Sequence, residues 1–278
     1  MPKRQTLSLP NLQISYLEWH QGDKPLLLLH GLGDHSLVWS SLGDSLAQEY
    51  HIIAPDLRGH GDSDKPQQGY HFAQIIADLE ALVQHLGWSK IHVLGHSWTG
   101  KLVPIWATQN SQLFQSLILV DPFFIGKIPS LFKLTFPLLY RVLSFLKAMG
   151  PFDSYEQAIE LAQKLKQYQG WSALQKQVFT YGIEEKADGK WGSKFTQDAR
   201  DGVFAEVMYV AGLTEIIDIP TLLVTPEQGL NRRQWQLKPY QKYLSNLQVS
   251  QIPGNHWAFL VAPETFNQAI KSFLQIHS

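Results

Sequence analysis

Short apolar runs alternate with longer amphipathic ones along the chain. The short runs predict strands over 5–9, 12–19, 25–30, 51–54, 91–95, 116–121, 221–225 and 247–252. Leu26 to Leu29 and Leu117 to Val120 are apolar without alternation, the pattern of strands covered on both faces. Helices are expected over 37–48, 70–86, 98–109 and 263–275. In the second of these, Phe72, Ile75, Ile76, Leu79, Leu82, Val83 and Leu86 recur at helical spacing. Strands interleaved with helices predict an α/β protein: a mostly parallel, eight-stranded sheet flanked by helices.

One interval breaks the rhythm. About a hundred residues separate the strand ending at Asp121 from the one opening at Thr221, and a single crossover helix needs far fewer. Residues 122–202 are therefore expected to form a helical cap inserted into a core made of 1–121 and 203–278, with 203–217 as the returning crossover helix. The cap is rich in aromatic residues, most of which are needed to bury its inner face. Its stretch Leu131 to Leu146 is apolar nearly all round. It reads as a buried cap helix, kinked at Pro137 or split there into two shorter helices, rather than a segment lying on a membrane or guarding an entrance.

Composition narrows the possibilities. Hydrophobic residues make up 44% of the 278 and charged residues 17%, which suits one large globular core. The 23 lysines and arginines against 24 acidic residues leave a formal charge of −1, so no basic excess draws in nucleic acid. With no cysteine, disulfides, thiolate catalysis and cysteine-based zinc sites are excluded. No apolar run approaches the ~18 residues of a membrane span, and no apolar segment follows the opening Met-Pro-Lys-Arg. A cytoplasmic protein without stable membrane insertion is expected, as a monomer or homodimer.

Three local signals fall at strand ends. Gly95-His96-Ser97-Trp98-Thr99-Gly100 follows an apolar strand and precedes a helix. A serine there sits on a sharp turn, exposed as a nucleophile, with Thr99 standing where glycine is commoner. His30-Gly31-Leu32-Gly33 follows another strand. In such a fold this loop and the residue after the nucleophile supply backbone N–H groups to an oxyanion, here those of Leu32 and Trp98. Pro253-Gly254-Asn255-His256-Trp257 follows the last strand, and His256 is the candidate base for the weakly nucleophilic hydroxyl. The polar segment from Asp56 to Asp64 reads as a structural loop, and neither metal nor organic cofactor is expected.

HGLGD at 30–34, APDLRGHGDSDKP at 54–66, GHSWTGK at 95–101, LILVDP at 117–122, IPTLLV at 219–224 and PGNHWAFLVAPETF at 253–266 together resemble the α/β-hydrolase superfamily, in its cap-bearing branch. The resemblance extends over nearly the whole chain and implies Ser97 as nucleophile and His256 as base. A serine at the elbow also speaks against dehalogenase and epoxide-hydrolase chemistry, because those relatives carry an aspartate there. One feature departs from the pattern. The resemblance places a triad acid after the seventh strand, near Gly229, where this chain has none. Asp121, ending the sixth strand, is the preferred replacement, with Glu227 the alternative and no acid partner the third option.

The leading expectation is a serine hydrolase of a small, apolar, ester-like substrate. Hydrolysis of a C–C bond in a β-diketone-like compound is a second reading on the same fold. A non-catalytic ligand-binding protein is a third, supported by Thr99 and the missing late acid.

Overall fold

The computed structural model describes residues 2–129 and 149–278. The expected helix within 131–146 lies outside the described residues. Strands β1 (Lys3–Leu9), β2 (Leu12–His20), β3 (Lys24–Leu29), β4 (Tyr50–Pro55), β5 (Ile91–His96) and β6 (Phe114–Val120) come first in the chain. A small antiparallel pair, β7 (Ile183–Glu185) and β8 (Trp191–Ser193), precedes β9 (Thr221–Gln228) and β10 (Leu247–Asn255). The main sheet has eight strands in the order β1-β2-β4-β3-β5-β6-β9-β10. Only the β1–β2 and β2–β4 pairings are antiparallel; β4, β3, β5, β6, β9 and β10 run parallel.

Period-two alternation divides the sheet's apolar residues between two cores. Leu27, Leu29, Val93, Leu117, Leu119 and Leu223 face one side. Leu26, Leu28, Leu94, Ile118, Val120, Leu222 and Val224 face the other. Each face is covered by helices, which is why these strands carry no polar alternation. Helices α2 (Phe72–His85) and α3 (Trp98–Gln109) bury Ile75, Leu79, Leu102 and Trp106 in the first core. On the other side lie α1 (Ser40–Leu46) and the helix Pro263–His277, which bury Leu42, Leu46, Phe266 and Ile270.

Between β6 and β9 the chain forms α4 (Tyr155–Ala162), α5 (Ala173–Gly182) and α6 (Gln197–Tyr209), and beyond β9 come α7 (Gln234–Tyr243), α8 (Ala258–Val261) and α9 (Pro263–His277). Each of α4, α5 and α6 opens on a Ser or Thr whose side chain accepts a backbone N–H of the first turn: Ser154, Ser172 and Thr196. Within the expected helical cap, Asp188 and Gly189 turn the chain between β7 and β8, so the segment also holds a short antiparallel pair. The expected division at 202/203 falls inside α6, which starts at its Thr196 cap and ends at Tyr209, so no helix spans 203–217.

Two further differences are local. The helix expected over 37–48 is a tight turn, Ser36–Trp39, followed by α1. Helix α7 escapes periodicity altogether, since Tyr240 is its one buried residue and Pro239 interrupts it. Among the described residues, no helix is long and apolar enough to cross a membrane.

Candidate active site

The C-terminal ends of β3, β5, β6, β9 and β10 deliver one residue cluster. Ser97 links β5 to α3 at φ 60° and ψ −116°, a conformation that side chains rarely adopt. The turn is tight enough that a Cβ on Gly95 would lie 2.5 Å from the Thr99 carbonyl oxygen. Thr99 is accommodated because its buried hydroxyl donates to the carbonyls of His96, at 2.8 Å, and Leu29, at 3.0 Å. The departure from glycine thus ties the elbow to the end of β3.

His256 follows β10, and its Nδ1 lies 2.7 Å from Asp121 Oδ2. Asp121 is fully buried with a positive φ of 41°. Its carboxylate also accepts the Leu230 N–H at 2.8 Å and the N–H and side-chain amide of Asn231, each at 3.0 Å. Burial alone would raise the Asp121 carboxyl, but His256, Leu230 and Asn231 outweigh it and hold the group below the usual carboxylate range. An ionised acceptor on Nδ1 leaves Nε2 of a neutral imidazole free to accept a proton. Glu227, the alternative acid, is exposed at the end of β9 and the structure does not bring it to His256.

His256 is held from a second side. Its backbone carbonyl accepts from His96 Nε2 at 2.9 Å, while His96 Nδ1 faces Asp34 Oδ2 at 3.6 Å. Burial and the adjacent His256 lower His96, and Asp34 pulls the other way. Neither Asp34 nor His96 carries a motif that singles it out as part of the site, although both sit inside recognisable turns.

Ser97 and His256 line one cavity of about 200 Å³, together with the residues expected to stabilise an oxyanion, Leu32 and Trp98. Trp98 opens α3, so its N–H has no carbonyl one turn back to receive it. Phe123, Val203, Phe204, Val207 and Leu230 make most of the remaining wall apolar. Among the described residues, no hydrogen bond joins the Ser97 hydroxyl to the imidazole; such contacts commonly tighten only when substrate binds.

Residues 24–263 match the alpha/beta hydrolase fold family. The chain belongs to that family. A soluble epoxide hydrolase from Corynebacterium sp. (strain C12) is 39% identical over 109 residues, which is 39% of this chain and 36% of that protein. The similarity thus spans little more than a third of that relative's length. The solved structure of E-2-(acetamidomethylene)succinate hydrolase is similar with a TM-score of 0.81 at 22% identity, covering 99% of this chain and 100% of that one. A marine microorganism esterase gives 0.74 at 19%, covering 98% and 100%. At these identities the likeness is one of fold.

As an alpha/beta hydrolase fold, the chain uses its 56–64 loop structurally. Asp56 is fully buried and accepts from Arg4 at 3.0 Å, the Ser36 N–H at 2.7 Å and the Asp62 N–H at 3.0 Å. Burial would raise it, but His35 and Arg4 hold it at about 2. Tyr181 and Lys194 reach Asp62 from across the chain at 2.6 and 2.7 Å.

Proposed function

We propose that this chain is a serine hydrolase that cleaves a carboxylic ester or related acyl compound bearing an apolar group. The carrying observation is the Asp121–His256 contact, made beside Ser97 on the wall of one apolar cavity. A carboxylate so placed fixes the imidazole tautomer and stabilises the imidazolium that forms during reaction.

In the proposed reaction the Ser97 oxygen attacks the substrate carbonyl carbon while His256 Nε2 takes the hydroxyl proton. The carbonyl electron pair moves to oxygen, where the Leu32 and Trp98 N–H groups receive it. The intermediate collapses, the bond to the leaving oxygen breaks, and the imidazolium returns its proton to that oxygen. A water then attacks the acyl-enzyme in the same way, giving its proton to His256, and the acid departs as Ser97 regains its hydrogen. Asp121 stays ionised throughout.

The local similarity to a soluble epoxide hydrolase supports a hydrolytic role but not epoxide opening at this site. A carboxylate that opens an epoxide leaves an ester, which water can cleave at its carbonyl. A serine would leave an ether, which has no carbonyl to attack, so turnover would stop after one event.

Labelling decides the matter. Incubated with a fluorophosphonate and digested for mass spectrometry, the protein is expected to carry the adduct on Ser97, with none in Ser97→Ala. Folded protein that takes no label would favour the ligand-binding reading. Labelled protein that cleaves β-diketones but no ester would favour C–C hydrolysis.

A further inference from the structure

A second cluster of chemistry-bearing side chains lies far along the strands from the cavity, where β2 meets β4. His20 of β2 pairs directly with His51 of β4. Paired residues project from the same face, and Glu18, two residues before His20, joins them by the strand's period of two. We propose that Glu18, His20 and His51 bind one divalent transition-metal ion of the zinc class, clamping the antiparallel arm of the sheet to its parallel body.

Distances support this. Glu18 Oε1 lies 2.8 Å from His51 Nε2 and 3.5 Å from His20 Nδ1, and the three donor atoms all fall within 4.8 Å of one another. Metal–ligand bonds of ~2.0–2.1 Å in a tetrahedral site separate neighbouring ligand atoms by about 3.3 Å, a value that lies between the two Glu18 separations. Gln5 Nε2 donates to the other carboxylate oxygen at 3.3 Å, which orients Glu18 and leaves Oε1 for the ion. The rings of Trp88 and His51 pack at near right angles, with centroids 5.1 Å apart at 88°, so Trp88 covers one side of the buried ligand.

One rearrangement is required. The two imidazoles are stacked with centroids 3.9 Å apart and planes 5° from parallel, so their in-plane lone pairs do not meet at a point. His51 is constrained, whereas the His20 side chain is 68% exposed and free to turn about its Cβ–Cγ bond. The ion thus exchanges a ring stack for a third coordinate bond. Two imidazoles and one carboxylate suit zinc, nickel, cobalt or copper rather than magnesium or calcium, and three protein ligands leave a position for water.

His51 is the second residue of β4, so the cluster sits at the opposite end of the parallel strands from Ser97. Its consequence is stability rather than turnover. An ion held only by the folded chain raises the unfolding temperature by mass action, by about 5 °C or more at a hundredfold excess over Kd.

The test uses the full chain, stripped with a chelator and titrated with zinc chloride by calorimetry and thermal melting. One equivalent is expected, with affinity at least tenfold weaker in His20→Ala and in Glu18→Gln. His20→Ala is the decisive variant, since its exposed ring carries no part of the core. His71→Ala, an exposed histidine outside the cluster, should bind like the parent. Cobalt(II) should give the visible bands of a low-coordinate site in the parent but not in His20→Ala. No saturable binding, or equal binding by the parent and His20→Ala, would overturn the assignment.

Discussion

A Cβ placed on Gly229 would lie 2.6 Å from Asp121 Oδ2, so the carboxylate at the end of β6 fills the space beside the loop after β9. That loop is where the family resemblance puts the triad acid. In this chain that loop supplies donors, with the N–H groups of Leu230 and Asn231 holding the Asp121 carboxylate. The two positions are alternatives for one place, which makes the exchange testable.

Asp121→Asn should lower kcat for an ester by about 10³- to 10⁴-fold with KM little changed, because an amide donor favours the wrong imidazole tautomer. Glu227→Gln, on an exposed residue, should leave both constants unchanged. Steady-state kinetics on the pair reads the outcome, and a dead Glu227→Gln would reverse the assignment. Asp121 also bears on acid stability. Its folded value is depressed, so its contribution is present above the ordinary carboxylate range and is lost as pH falls through the lower folded value. Thermal melts of Asp121→Asn should lack that acid-side loss.

Gly229→Asp alone should impair the enzyme, since two carboxylates would crowd one space. Combined with Asp121→Gly, the new acid should recover at least about tenfold of the turnover lost by Asp121→Gly alone. Rates of the two single variants and the double variant check this; a double variant no better than Asp121→Gly would show that only the sixth strand can present the acid.

Lys101 is buried, and its ammonium donates to the carbonyls of Phe124 at 2.7 Å, Gly126 at 2.6 Å and Val207, joining α3 to the start of the inserted region and to α6. Lys101→Met should destabilise the protein by about 2–4 kcal/mol by leaving these acceptors unpaired. Burial pulls the lysine down to about 7, with Glu206 opposing. The unfolded chain then binds more protons than the folded one between about pH 7 and 10, so this group makes stability rise with pH across that interval. Denaturant titrations at pH 7 and 9 should show the rise in the parent and not in Lys101→Met.

Val203 lies on α6 and lines the cavity that Ser97 and His256 also line. Val203→Trp should fill that space, lowering kcat/KM for medium-chain esters by at least about tenfold while sparing acetate esters, since each methylene in such a pocket is worth roughly 1–3 kcal/mol. A chain-length series on both proteins measures it. Equal losses at every length would place the acyl group elsewhere.

Much of this molecule was legible in the linear chain because the signals were local. Inner strands such as β3 and β6 appear as apolar runs whose covering on both faces removes polar alternation, and Ser97 and His256 sit in turns marked by their own neighbours. Helix α7 was invisible for the converse reason: with Tyr240 alone buried, it has no apolar stripe. The expected division at 202 falls within α6 because that helix starts at its Thr196 cap.

What the tertiary structure decided was which distant groups meet. Asp121 and Glu227 are both carboxylates near strand ends, and nothing local tells which one reaches the His256 ring, although Asp121 lies 135 positions from it in the chain. Sheet order and the backbone at each strand end choose, bringing one to 2.7 Å and turning the other to solvent. The same holds for Glu18, His20 and His51, whose convergence exists only through the register of β2 on β4. Local pattern specifies elements and turns because it acts through neighbouring dihedrals and burial; long-range pairing is set by how the finished layers pack.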